Sequence, residues 1–322
     1  MMVPIKAIYR TGLIAGLLLC TCLRHAQAQY ATEITVAQDG SGDFTSIQDA
    51  VDASKAFPGQ RITIHIKSGT YREKVKIHAW NTMLSLIGEG ADKTVITYND
   101  HFNKIARGRN STFHTYTMLV QGNDFRAEGL SIENTAGPVG QAVALSVEAD
   151  RCVFENCTFT GHQDTLYVAG EGARSYFHNC YIEGTTDFIF GAGTAVFEQC
   201  RIHAKSDSYI TAASTPKGIP YGLVFLKCSI TAAEGVKGVY LGRPWRPYAK
   251  TVFLNCEMSG QVQPEGWHHW EAPEKEPNVY YAEYRSTGAG ARPASRASWP
   301  HQLNRRQSKK YTLDHIFSGW KP

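Results

Sequence analysis

Phe-x-x-Cys recurs five times in short apolar stretches, pairing Phe154 with Cys157, Phe177 with Cys180, Phe197 with Cys200, Phe225 with Cys228 and Phe253 with Cys256. The steps between successive copies are 23, 20, 28 and 28 residues. An interval in the twenties that keeps returning marks a solenoid, in which each repeat buries its apolar face only by stacking on its neighbours. The interval is also a ruler: residues about one period apart should lie one above the other, at the ~4.8 Å spacing of adjacent strands.

The chain has 322 residues and a formal net charge of +4. Its start reads as an export signal. Lys6 and Arg10 precede an apolar run over 13–22, and Ala26-Gln27-Ala28 fits a small-x-small cleavage site, so maturation is expected after Ala28. The apolar run is well short of the ~20 residues that span a bilayer, and no membrane anchor is expected. Loss of the three cations Lys6, Arg10 and Arg24 would lower the charge from +4 to +1. That is no nucleic-acid footprint. The remaining residues 29–322 could form two domains or one solenoid, and the continuous repeat favours one.

Six cysteines remain in that span: Cys152, Cys157, Cys180, Cys200, Cys228 and Cys256. Export normally suggests disulfides. Five of the six, however, hold the same slot in successive repeats beside apolar partners, which suits stacked, buried small hydrophobes. The expectation is mostly free thiols, with Cys152 and Cys157, or a neighbouring pair, as a disulfide exception. No metal-ligand spacing accompanies them. The cluster of Trp267, His268, His269 and Trp270 reads as aromatic packing rather than a metal site.

Residues 33–36 alternate like a strand and 39–42 turn. Thr45 and Gln48 fit a capping box ahead of Ile47, Ala50 and Val51 at helical spacing, which predicts a short helix over one end of the solenoid. Short β-rich runs follow at 61–67, 74–77, 83–87 and 94–97, too close together for intervening helices, which argues against a doubly wound fold. The rhythm continues through 125–133, 142–147 and the Phe-x-x-Cys rungs. Turns of three short strands give parallel pairing without helical crossovers. The predicted fold is all-β, a right-handed parallel β-helix with a short N-terminal capping helix. From about residue 282 the periodicity stops. Residues 282–322 are expected to be an ordered C-terminal extension packed along the solenoid's side.

Gln141, Asp164 and Asp187 fall on the ruler, because each of their two intervals equals the local step from Cys157 to Cys180. They are predicted to stack on three consecutive turns. Two carboxylates one strand spacing apart repel, and their pKa values separate, so one can stay ionised while the other holds a proton. Aspartates also cap turns, but Leu166, Tyr167, Phe188, Ile189 and Phe190 crowd these two, and solvated turn aspartates seldom have such company. Arg243, in Leu241-Gly242-Arg243-Pro244-Trp245, follows Asp187 by nearly two of the later steps. Its guanidinium could orient one carboxylate. Alternatively it is a surface arginine stacked on Trp245.

Five segments resemble, in order, the signature motifs of the pectin methylesterases: Gly69-Thr70-Tyr71-Arg72-Glu73, Gln141-Ala142-Val143-Ala144-Leu145, Gly161-His162-Gln163-Asp164-Thr165-Leu166-Tyr167, Asp187-Phe188-Ile189-Phe190-Gly191 and Leu241-Gly242-Arg243-Pro244-Trp245. The opening Asp39-Gly40-Ser41-Gly42-Asp43-Phe44 and the closing Tyr311-Thr312 with Trp320 are similar to that family's ends. The resemblance implies that Asp187 is the nucleophile and Asp164 the general acid and then base. It makes Gln141 and Gln163 the oxyanion-stabilising amides and Arg243 the holder of Asp187. It also implies substrate contacts from Gln141, Arg243, Trp245, Thr117, Phe113, Tyr167 and Phe190. Glu73 reads as structural, since it lies early in the solenoid and off the catalytic ruler, and His162 stands where many members have Tyr.

The implied reaction is hydrolysis of galacturonate methyl esters in pectin (homogalacturonan), through an acyl-enzyme, with no metal or organic cofactor. The implied setting is a monomer, secreted or periplasmic, with no nucleic-acid partner and no membrane association after signal removal; inhibition by a protein is left open. The alternatives are an esterase or thioesterase for another acyl group on the same scaffold, a glycosidase with paired carboxylates, a β-helical polysaccharide lyase, or a non-catalytic sugar-binding β-helix. Paired glutamines beside the aspartates suit an oxyanion, which favours acyl transfer. Asn110-Ser111-Thr112 and Asn156-Cys157-Thr158 fit the glycosylation pattern.

Overall fold

In a computed structural model, which describes residues 30–322, each Phe-x-x-Cys interval is one turn of a parallel β-helix. The expected signal segment 1–28 lies outside the described residues. A complete turn supplies one strand to each of three parallel sheets, and incomplete turns at the ends leave the sheets with eleven, eight and seven strands among the described residues. Cys152–Glu155, Thr158–Thr160 and Leu166–Val168 form one such turn, and Arg174–His178, Tyr181–Gly184 and Ile189–Gly191 form the next.

The phenylalanines occupy one column. Phe154, Phe177, Phe197, Phe225 and Phe253 are register partners in succession, all fully buried. Their rings stack at centroid distances of 4.7, 4.8, 4.6 and 4.3 Å. Successive strand residues face opposite sides of a sheet. The residue before each later phenylalanine therefore points outward, and Val196, Val224 and Val252 form a second column on the outer face.

The residue before each ladder cysteine makes the corner between the first and second sheets. Asn156, Asn179, Gln199, Lys227 and Asn255 all adopt left-handed backbone, with φ between 50° and 54°. That bend is what brings each cysteine inward. Cys180, Cys200 and Cys228 donate from Sγ to the carbonyl oxygens of Phe154, Phe177 and Phe197 on the turn below, at 3.5, 3.4 and 3.2 Å.

All six cysteines are free and buried, so the expected Cys152 to Cys157 disulfide does not form. The extended strand Cys152–Glu155 lies between them. Four such residues span roughly 10 Å, beyond the ~7 Å Cα separation a disulfide tolerates.

The ends differ from expectation in detail. The helix Ile47–Ala53 is capped by Ser46 rather than Thr45. Glu73 displaces the predicted capping box: its carboxylate accepts from the Ile47 and Gln48 backbone N–H groups, both at 2.9 Å, and from Ser46 Oγ at 3.0 Å. At the other end the first sheet continues past residue 282, through Tyr280–Tyr284 and His301–Gln302. The periodicity is lost to sight because residues 285–300 form a long loop between those strands. The final segment then lies on the outer face of the first sheet. Ile316 and Phe317 pack on the Val196, Val224 and Val252 column, and the Phe317 carbonyl accepts from Arg174 Nη1 at 2.7 Å.

Candidate active site

The motif residues meet on the outer face of the seven-stranded sheet. Leu166–Val168 and Ile189–Gly191 send Leu166 and Ile189 into the core, while Tyr167 and Phe190 point outward. Just before the register pair Leu166 and Ile189 stand Asp164 and Asp187, at the corner where the chain enters this sheet. Both have left-handed backbone, which Asp tolerates better than most residues. The Asp164 N–H donates to the Thr186 carbonyl at 3.1 Å and the Asp187 N–H to the Tyr209 carbonyl at 2.8 Å.

The ruler slips at Gln141, which bridges to Gln163 rather than stacking on Asp164. The step in this sheet is shorter from Leu145 to Leu166 than from Leu166 to Ile189. The slip places the two glutamines side by side on adjacent turns. Arg243 reaches Asp187 across an intervening strand, Tyr209–Ala213. Gly242 allows the close approach, since a Cβ there would collide with Thr211 Oγ1.

Arg243 grips both oxygens of Asp187, Nε to Oδ1 at 3.0 Å and Nη2 to Oδ2 at 2.7 Å. Its guanidinium carbon lies 3.8 Å from the ring centre of Tyr209 and 3.6 Å from that of Trp270. Trp245, the stacking partner in the alternative reading, instead meets Phe190 edge-on at 6.0 Å and carries Arg246 at 4.8 Å.

Asp164 and Asp187 are only 8% and 6% exposed. Burial pushes the Asp164 carboxyl well above its usual range, and the Asp187 charge adds to the rise. Burial raises Asp187 as well, but the Arg243 hydrogen bonds and charge oppose it. Both carboxyls are thus raised, Asp164 the more strongly, which makes Asp164 the readier of the two to hold a proton.

An open pocket of about 450 Å³ exposes both carboxyls. Gln141, Gln163, Asp164, Asp187, Phe190 and Ala212 form its floor. One wall is Arg109, Asn110, Thr112 and Phe113; the other is Arg243, Trp245, Arg246 and Trp270. The first wall comes from a loop carrying the short helix Phe102–Ile105 and a 3-10 turn over Gly108–His114. It is pinned to the floor by the Phe102 N–H, which donates to the Gln141 carbonyl at 2.9 Å. Phe113, Tyr167 and Phe190 form a row of rings with centroids 5.0 and 4.8 Å apart.

Thr117 is not at this pocket. It is fully buried, and its Oγ1 donates to the Glu133 carbonyl at 2.7 Å. It stands at the corner directly before the strand Met118–Val120, where it and Met118 are both fully buried. Sequence reasoning missed Tyr209, Trp270, Arg246, Arg109 and Asn110. Tyr209 follows Asp187 by about one local period, so the ruler could have found it. Arg109 and Asn110 sit in a non-repetitive loop, for which the ruler assigns no height.

A family model described as Pectinesterase matches residues 33–319, and the chain belongs to the pectinesterase family. Pectinesterase 31 of Arabidopsis thaliana is 40% identical over 278 residues, covering 84% of this chain and 87% of that protein. Probable pectinesterase/pectinesterase inhibitor 6 of Arabidopsis thaliana is 38% identical over 309 residues, covering 92% of this chain but 54% of that protein. The chain thus spans about half the length of several curated relatives it matches. Among solved structures, the pectin methylesterase from carrot superposes with a TM-score of 0.83 at 33% identity, over 89% of this chain and 93% of that one.

Proposed function

We propose that this protein hydrolyses galacturonate methyl esters in pectin, releasing methanol and leaving the polymer de-esterified. The observation that carries the reading is the two-point grip of Arg243 on Asp187 beside the buried Asp164, whose carboxyl burial pushes well above its usual range. One carboxylate is held as an anion and aimed, while its neighbour is an acid, which is the division of labour that acyl transfer through a carboxylate requires.

In this reading the Asp187 carboxylate attacks the ester carbonyl, and the Gln141 and Gln163 amides donate to the oxyanion of the tetrahedral intermediate. Asp164 gives its proton to the departing methoxide, so methanol leaves and an anhydride joins the sugar acyl group to Asp187. Asp164, now a base, takes a proton from water as the water attacks that acyl carbon. The anhydride breaks, Asp187 is again an anion and Asp164 again an acid, and the galacturonic acid unit leaves, giving the remaining proton of the water to solvent. Phe113, Tyr167, Phe190 and Trp245 supply apolar faces for pyranose rings along the floor and walls. An exported monomer matches a substrate that lies outside the cell.

The test is incubation of the purified mature chain with highly methylated pectin, following methanol and polymer length together. Methanol should appear without chain shortening or unsaturated product, and Asp187→Asn should abolish it while polymer binding persists. Shortened chains or unsaturated ends would assign the pocket to glycoside hydrolysis or elimination instead.

A further inference from the structure

Tyr209 touches both halves of the Arg243 to Asp187 pair. Its backbone carbonyl accepts from the Asp187 N–H at 2.8 Å, and its ring centre lies 3.8 Å from the Arg243 guanidinium carbon. Trp270 stands 3.6 Å from the same carbon. The two rings make no contact with each other among the described ring pairs, so the guanidinium separates them. A planar cation between two aromatic faces is attracted to both and keeps little freedom to rotate.

One histidine contacts both residues, the ring of Tyr209 and the backbone of Trp270. The His268 ring packs on Tyr209 at 5.3 Å and on Tyr240 at 5.4 Å, and Tyr240 stacks on Tyr209 at 5.4 Å. His268 Nδ1 accepts from the Trp270 N–H at 3.0 Å, which steadies a tryptophan in left-handed backbone at φ 59°. The His268 N–H in turn donates to the Gly242 carbonyl at 3.1 Å, next to Arg243. The aromatic and histidine cluster that the reaction itself does not use thus closes around one side chain.

We propose that Tyr209 and Trp270, braced by His268, are positioning residues that hold the Arg243 guanidinium in the orientation that grips both oxygens of Asp187. The inference rests on the reading of Asp187 as the nucleophile. An arginine free to rotate would still bring positive charge near Asp187, but the two-point grip and the direction of the carboxylate would be lost.

The experiment compares Tyr209→Phe with Tyr209→Leu, measuring methanol release from highly methylated pectin, melting temperature and the pH dependence of kcat. Phe keeps the ring and the carbonyl; Leu keeps the carbonyl and comparable bulk but has no π face. Expected are a kcat within about 2-fold of wild type for Phe, and a fall of about 10-fold or more for Leu, with KM changed far less. The acid limb of the Leu profile should move to higher pH, because a loosened guanidinium opposes protonation of Asp187 less well. Equal activity of the Leu and Phe variants, or a Leu defect confined to KM or proportional to lost melting temperature, would overturn the inference. Wild-type methanol release in the same assay separates the outcomes: its absence sinks the assigned reaction, whereas its presence with an unimpaired Leu variant sinks only the positioning role.

Discussion

Asp164 and Asp187 occupy equivalent corners on adjacent turns of the β-helix, each in left-handed backbone, at φ 67° and φ 50°. The shared bend places one carboxyl above the other on the outer face, where the chain enters the seven-stranded sheet. What distinguishes the two is their surroundings. Arg243 binds Asp187 directly, and Asp164 is left with burial and a negative neighbour.

That difference sets the pH behaviour. The proposed reaction requires Asp187 ionised and Asp164 protonated, so kcat should fall on the acid side as Asp187 takes a proton and on the alkaline side as Asp164 loses one. Arg243→Gln removes the group that opposes the rise in the Asp187 pKa. Its acid limb should move to higher pH, with kcat down about 100-fold or more. An acid limb that stays in place would separate Asp187 from that ionisation.

Asp164 should also cost stability at neutral pH. Its pKa is raised in the folded protein, so the folded state binds more protons than the unfolded state, and stability declines as pH rises from the ordinary carboxylate range near ~4 toward the folded pKa. Asp164→Asn, which cannot ionise, escapes that decline. Its melting temperature should exceed that of wild type at pH ~7 and the gap should shrink at pH ~4. A variant less stable than wild type at neutral pH would contradict this.

Gln141→Ala and Gln163→Ala should each lower kcat by about 100-fold with smaller changes in KM, as expected for donors that act on the oxyanion. Because the two amides lie side by side on bridged residues, the double variant should lose less than the product of the single losses. Steady-state kinetics on one pectin preparation decides it. Full multiplicativity would place them at separate tasks.

The core column should be costly to interrupt. Phe197 stacks on Phe177 at 4.8 Å and on Phe225 at 4.6 Å. Phe197→Ala should destabilise the protein by about 3–5 kcal/mol in urea unfolding. Addition of a reductant should leave the wild-type melting temperature unchanged, since all six described cysteines are free. A clear drop under reduction would mean that a disulfide carries part of the stability.

Ionic strength should act at the rim. Arg109 and Arg246 line the pocket from separate segments, and neither has a carboxylate partner among the described residues. Exposed cations of this kind attract an anionic polymer and are screened by salt. KM for partly de-esterified pectin should therefore rise with added salt, and Arg109→Gln with Arg246→Gln should flatten that dependence. An unchanged slope would remove these arginines from substrate capture.

Much of the frame was legible in the chain itself. The Phe-x-x-Cys interval indicated a solenoid, because a ring and a thiol needed at the same height in every turn must recur at one period. The same ruler brought Asp164 and Asp187 together correctly. It misplaced Gln141, which pairs with Gln163 instead of Asp164, since the local step shortens where the chain enters the pocket. It said nothing of the Phe102–Ile105 and Gly108–His114 wall, which is an insertion with no counterpart in the neighbouring turns. Thr117 misled for a related reason: its motif neighbours lie at the site, but it stands at the corner before the strand, where both it and the adjacent Met118 are fully buried.

The sequence by itself determined what repeats along one axis: the fold, the stacking order of its turns and the pair of carboxylates, all consequences of a recurring interval and of strand alternation. Which of the two carboxylates is better held as an anion follows from packing between turns. That choice depends on Arg243 reaching across a whole strand and on Tyr209, Trp270 and His268 converging around it from separate segments. Such contacts run between turns at unequal spacing, where side-chain length and burial govern and sequence interval carries no information.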